Sequence, residues 1–417
     1  MKKSLFNLCS GIWFTVNCLL IQSIFFENQF ISSARAEENK SRTDVLKSGL
    51  QVNADSKDES KTSKSLAEVL KPLVDKHFLA GAVMCVADKD KILAKETVGF
   101  MDIAGKKEMK DDCLFWIASQ SKPMTCAALM ILVDEGKVKL DDPITKFLPE
   151  FNGMWVKVEE DKDHILLKRP TRAITIRDLC AHTSGLAFAS KMEQPTLDAL
   201  TLKDSVRSYT MTPLNYEPGT KHQYSNEGIN AIGLVIQVVS GMPYEKFMAT
   251  RIFEPLEMKD TTFWPNKLQI ERLAKSYRPN QKKDDLVETQ ISQLTYPLDG
   301  HNRYPMPAGG LFSTADDVTH FCQMVLNKGT FRGKKILSER AVQEMTSRQT
   351  PHVGYGLGWS INGINCGHGG AYSTSMEIDR KTGRIYVYMV QHAGFPGDGG
   401  KGNGLFVNAA KQREKTK

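Results

Sequence analysis

The sequence holds no C-x-x-C pair, no H-E-x-x-H and no other close cluster of metal ligands, which excludes zinc modules and zinc hydrolases of the usual spacing. No G-x-S-x-G occurs, so the nucleophile elbow of the α/β-hydrolases is missing. Arginine-rich runs and basic stretches interleaved with aromatics are also absent. A formal charge of +7 over 417 residues is mild, and no nucleic-acid partner is expected. There is no internal repeat, and beyond the N-terminus no apolar run has the length of a transmembrane helix. Nothing in these patterns asks for a metal or a cofactor, and none is expected.

What is present begins with a leader. Lys2 and Lys3 precede a charge-free stretch, Ser4 to Phe26, and "SSARAEE" then supplies small residues at Ala34 and Ala36. This is the pattern of a signal peptide, residues 1–36, and it predicts a periplasmic or secreted protein. The stretch could cross a bilayer if tilted, although Asn7, Ser10, Asn17 and Gln22 make it a poor span; membrane association is expected only if it stays uncleaved. Residues 37–62 are polar, charged and nearly free of aromatics, the composition of a disordered linker. The folded domain is expected over 63–415. Cys9 and Cys18 fall in the leader. The other six cysteines could pair in an exported protein, but apolar contexts such as "AVMCVA" and "MTCAALM" favour buried free thiols.

In "SLAEVLKPLVDKHF" the apolar residues Leu66, Val69, Leu70, Leu73 and Val74 recur at helical spacing, with Pro72 suggesting a kink. "GAVMCVAD" and "KILAKETVGF" read as strands around "DKDK". The far end mirrors this: "SMEID" and "RIYVYMVQ" flank "RKTG", and 402–415 reads as a closing helix. The expected class is α/β (α+β), with one antiparallel sheet built from both termini, covered by the terminal helices. The middle is then an inserted, mostly helical lobe. Its helix signals are Gly136 as a stop, "IRDLCAHTSGL", "NEGINAIGLVIQVVSG" ending at Gly241, and "LFSTADDVTHFCQMVLNKG" capped at Ser313 or Thr314. A ligand cleft between the lobes would draw residues from the middle and from the C-terminal strands.

Three stretches could carry chemistry. In "FWIASQSKPMTCAALMILVDEG", Ser119 and Lys122 form the single S-x-x-K of the chain; a helix starting at Ser119 puts the lysine one turn on, within reach of the hydroxyl. A lysine of lowered pKa can take the serine proton. The competing reading is an N-cap serine beside a solvated lysine. In "HQYSNEG", Tyr224 could shuttle a proton and Asn226 could hold the lysine and a substrate carbonyl; otherwise the tyrosine is a loop residue and Asn226 a helix cap. In "NCGHGGAYSTSMEID", His368, Gly369 and Gly370 would let a ligand approach a strand edge, with the Ala371 N–H facing an oxyanion; otherwise this is a glycine-rich turn.

Taken in order, S-x-x-K, Y-S-N and H-G-G resemble the serine β-lactamase and penicillin-binding superfamily. The nearest branch holds class C β-lactamases, D-alanyl-D-alanine carboxypeptidases, D-aminopeptidases and related esterases. The phrases "TIRDLCAHTSGL", "YEPGTKHQYSNEGINAIGLVIQVVSG" and "PAGGLFSTADDVTHF" are similar to that family as well, and the likeness spans about residues 64–410. It implies an α/β sandwich lobe beside an all-helical lobe. Ser119 would be the acylated nucleophile, with Lys122 and Tyr224 sharing acid and base work and Asn226 orienting Lys122 and substrate. The N–H groups of Ser119 and Ala371 would form the oxyanion hole.

His368 stands where many relatives carry lysine. A neutral histidine offers no permanent charge to a substrate carboxylate, which points away from an efficient β-lactamase and toward an esterase or amidase. The expected activity is an exported serine hydrolase of small ester, amide or peptide substrates. The alternatives are a true β-lactamase or D-amino-acid peptidase, and a catalytically silent scaffold. His182 in "AHTSG" is expected to be structural. Trp155, Trp264, Trp359, Tyr296 and Tyr304 could line the cleft, with packing as the default for each.

Overall fold

The computed structural model describes residues 65–300 and 302–415; the expected signal peptide and linker lie outside them, as do Ser63 and Lys64. Ser65 and Glu68 make a reciprocal capping box that starts helix α1, Leu66–Asp75, and Pro72 lies within it. The strands β1, Gly81–Ala87, and β2, Ile92–Asp102, follow, with β3 at Lys107–Glu108. The C-terminal part adds β4, Ser360–Asn362, β5, Asn365–Gly369, β6, Ser375–Asp379, and β7, Arg384–Met389. They pair as one seven-stranded antiparallel sheet, ordered β4-β5-β6-β7-β1-β2-β3. The seam between the two ends of the chain is the β1–β7 ladder, in register from Val83 opposite Met389 to Ala87 opposite Ile385.

Both faces of that central ladder are buried, and the period of two sorts them. Val83, Cys85 and Ala87 with Ile385, Val387 and Met389 face one apolar cluster; Ala82, Met84 and Val86 with Tyr386, Tyr388 and Val390 face a second. The second cluster is closed by Leu66, Leu70 and Leu73 of α1 and by Phe406 and Ala410 of the closing helix, which spans Gly402–Lys415. The terminal helices therefore share one face of the sheet, as the mirrored ends of the chain implied.

The first cluster is larger and runs into the middle of the chain through α2, Ser121–Asp134, α3, Asn226–Ser240, and α4, Ala315–Leu326. Helix α3 stops at Gly241, whose φ of 68° is a left-handed cap that glycine adopts without strain. Thr314, rather than Ser313, caps α4 by accepting from Asp317 N. The inserted segment also carries short two-stranded ladders, Val156–Glu160 with Ile165–Lys168 and Ser276–Pro279 with Leu286–Thr289, where the resemblance implied helices alone. All six cysteines among the described residues are buried and free. Among the same residues no helix is long and apolar enough to cross a membrane.

Candidate active site

Ser119 sits in a 3-10 turn, Ala118–Gln120, that leads into α2. Ala118 has a φ of 45°, in the left-handed region that is costly for a residue with a Cβ. This bend shifts the helix start from the expected Ser119 to Ser121. Gln120 takes the N-cap position with no side-chain cap bond, so Ser119 is not the cap that the competing reading required. Ser121 holds the turn: its Oγ donates to Ala118 O at 2.6 Å and accepts from Leu311 N at 3.3 Å. Pro123 falls in the first helical turn, where a missing N–H costs little.

Lys122 is fully buried. Its Nζ lies 3.0 Å from Ser119 Oγ, 2.8 Å from Asn226 Oδ1 and 2.7 Å from the Ala308 carbonyl oxygen. An ammonium and a neutral amine could each satisfy these three partners, so hydrogen-bond counting does not choose between them. Among the described residues no carboxylate acts on the amine, and burial holds its pKa well below the usual 10.5. Once deprotonated, the amine can donate to the two carbonyl oxygens and turn its lone pair to the Ser119 hydroxyl.

Asn226 is the first residue of α3, yet it does not cap it. Ser225 does, its Oγ accepting from Gly228 N at 3.1 Å and donating to Ala187 O at 2.6 Å. That division leaves the Asn226 amide oxygen for Lys122. The same loop sets the Tyr224 ring centroid 4.6 Å from Lys122 Nζ. Tyr224 also packs on His182, with ring centroids 4.5 Å apart, and faces His368 at 6.2 Å.

His368 lies on β5 and is buried. Its Nδ1 is 2.7 Å from Gly369 O and its Nε2 is 3.1 Å from Tyr355 Oη. Burial first, and Lys122 second, push its pKa down to about 3, so the ring is neutral at any ordinary pH. Gly369 ends the strand. A methyl group at Gly370 would come within 2.6 Å of Ile117 O and 2.3 Å of Thr374 Oγ1. The reason for Gly370 is thus the close seating of this turn on the segment before Ser119, where the sequence suggested room for a ligand. Ala371 follows, half-buried, against the apolar cluster that includes Trp116 and Tyr372.

The structure therefore brings Ser119, Lys122, Tyr224, Asn226 and His368 into one neighbourhood, with Gly370 packed on the serine's turn. It does not add the five aromatic residues. Trp359 is a core residue stacked on Phe321, and Trp155 lies exposed beneath Arg169; the other three bond to neighbouring backbone or sit at the surface. Sequence reasoning missed two participants. Ala308 contributes only a carbonyl oxygen, which no residue type announces. Tyr355 sits between glycines in "VGYGLGW" and has no periodicity to mark it. Among the described residues no group of three or more His, Cys, Asp or Glu is arranged to hold a metal ion.

Comparison with known proteins agrees with the sequence resemblance. The family described as Beta-lactamase matches residues 66–410. An uncharacterized protein of Mycobacterium tuberculosis (strain CDC 1551 / Oshkosh) is 30% identical over 365 residues, covering 78% of this chain and 88% of that one. The N-acetylmuramyl-L-alanine amidase of Bacillus subtilis (strain 168) is 26% identical, covering 68% of this chain and 67% of its own length. Among solved structures, EstCE1, a hydrolase with promiscuous acyltransferase activity, superposes with a TM-score of 0.69 at 23% identity, over 82% of this chain and 97% of that one. The chain belongs to the Beta-lactamase family, whose members are serine hydrolases of ester or amide bonds.

Proposed function

We propose that the protein hydrolyses small esters or amides through an acyl-enzyme on Ser119. The observation that carries this reading is the 3.0 Å contact between Ser119 Oγ and a fully buried lysine amine that has no carboxylate partner among the described residues. Such an amine accepts the serine proton as Oγ attacks the substrate carbonyl. The Ser119 and Ala371 N–H groups stabilise the resulting oxyanion. Lys122 and Tyr224 return the proton to the leaving alcohol or amine, and the same groups then activate water to release the acyl group. Asn226 anchors Lys122 through its amide oxygen and has its N–H₂ left to orient substrate.

The neutral His368 sets the preference. A β-lactam or a peptide C-terminus presents a carboxylate, and a histidine with a pKa near 3 gives it no cation. Uncharged acyl groups are favoured, which fits the esterase and amidase side of the family. The assay is parallel turnover of a short-chain p-nitrophenyl ester, a D-alanyl dipeptide and nitrocefin by the full chain and by Ser119→Ala. Ester turnover that vanishes in Ser119→Ala supports the reading; nitrocefin as the best substrate, or turnover that survives the substitution, opposes it. We also propose export, supported by the leader pattern of residues 1–36; a mature chain beginning at Glu37 in the extracytoplasmic fraction is the expected result.

A further inference from the structure

Beside Lys122 lies a line of hydrogen bonds that the hydrolytic steps above do not use. Ser225 N lies 3.3 Å from His182 Nδ1, and His182 Nε2 lies 3.1 Å from Tyr355 Oη. The same Tyr355 oxygen is 3.1 Å from His368 Nε2, and His368 Nδ1 is 2.7 Å from Gly369 O. The two ends of this line have fixed roles, because a backbone N–H only donates and a carbonyl oxygen only accepts. Between them only one arrangement of protons works with neutral rings. His182 accepts at Nδ1 and donates from Nε2 to Tyr355; Tyr355 donates to His368 Nε2; His368 donates from Nδ1 to Gly369.

Both rings are neutral for the same reason: full burial pushes the pKa of His182 well below 6.5 and that of His368 to about 3. A protonated His182 would turn an N–H toward the Ser225 N–H and break the line. The position of the line gives it a consequence. Ser225 sits between Tyr224 and Asn226, while Gly369 and Gly370 lead into Ala371. The two groups of residues come from distant parts of the chain, and the Tyr355 hydroxyl links them by hydrogen bonds. His222 packs edge-on against His182 and at a tilt against Tyr355, so the ring cluster is held from the side as well.

We propose that Tyr355 is a positioning residue for acyl transfer: its hydroxyl donates to Nε2 of the Nδ1–H tautomer of His368 and ties the loop of Tyr224 and Asn226 to the strand end that presents Ala371. The proposal rests on the acyl-enzyme reading for its kinetic effect, while its tautomer content stands apart from that reading. In ¹⁵N-labelled full-length protein, with the His368 signals assigned by their loss in His368→Gln, long-range imidazole spectra are expected to show His368 as Nδ1–H and His182 as Nε2–H. Finding His368 as Nε2–H in the unsubstituted protein overturns the proposal without any Tyr355 variant.

Tyr355→Phe keeps the ring and removes one oxygen. It is expected to leave His368 Nε2 without its donor, shifting that nitrogen's resonance, and to lower kcat by about 5- to 30-fold, the scale of one lost buried hydrogen bond, with KM changed less than about twofold. An unchanged His368 spectrum, or a kcat equal to that of the parent, overturns it. Fluorophosphonate labelling of the unsubstituted protein separates the two claims: failure to label Ser119 counts against the acyl-enzyme, and the tautomer result still decides the line.

Discussion

Replacing Lys122 by methionine removes the amine while filling nearly the same buried space. If the amine is the proton acceptor, acylation loses a general base, worth about 10²- to 10⁴-fold in rate, or about 3–5 kcal/mol of barrier. The fold should survive. The substitution strands Asn226 Oδ1 and Ala308 O, each costing about 1–3 kcal/mol if left unsatisfied, but it also removes a desolvated amine. Linkage supplies an independent check. The unfolded lysine titrates near its ordinary value and the folded one well below it, so between those values the unfolded state binds the extra proton. Stability contributed through this group is complete above the ordinary value and is lost as pH falls toward the folded pKa; the parent therefore gains stability with rising pH across that window, and Lys122→Met should lose this slope. The assay is the pre-steady-state burst of p-nitrophenol together with urea unfolding at several pH values. A folded Lys122→Met protein with a burst rate within threefold of the parent would refute the role given to the lysine.

The pH profile of kcat/KM should show an acid limb, because protonating Lys122 leaves Ser119 without a proton acceptor; its midpoint should fall well below 10.5, and a limb near 10.5 would contradict the effect of burial. Gly370→Ala should lower both Tm and kcat/KM, since the new methyl meets the Ile117 carbonyl behind the nucleophile turn; a variant with parental activity would show that this seating is not required. Phe406→Ala, on the opposite face of the sheet between Tyr386 and Tyr388, should cost about 3–5 kcal/mol of stability and leave kcat per folded molecule unchanged. Loss of kcat in that folded variant would mean that the two sheet faces are coupled.

Strands β1, β2, β6 and β7 were legible because the two ends of the chain carry matching helix-and-hairpin patterns, whereas the short β3, β4 and β5 are polar or glycine-rich and carry no such signal. The Ser119–Lys122 pair was legible as a spacing, although the spacing did not reveal the bend. A left-handed alanine looks like any other alanine, and it is Ala118 that moves the helix start by two residues. The cap of α3 was ambiguous for a chemical reason: serine and asparagine both cap well, and only the fold decides that Ser225 does so while Asn226 turns to the lysine. The Ala308 carbonyl lies 186 residues from Lys122 along the chain and is a backbone atom, so nothing in the one-dimensional pattern could connect them. His182 was expected to be structural, and its hydrogen bonds join it to Ser225 and Tyr355.

The central claim is that Ser119 carries the acyl group, and the direct measurement is mass spectrometry of the acid-quenched protein during turnover of a slowly hydrolysed ester. The account predicts one acyl mass on the peptide containing Ser119, absent in Ser119→Ala and decaying when substrate is exhausted. Turnover by folded protein with no adduct, or with the adduct on another residue, would contradict it.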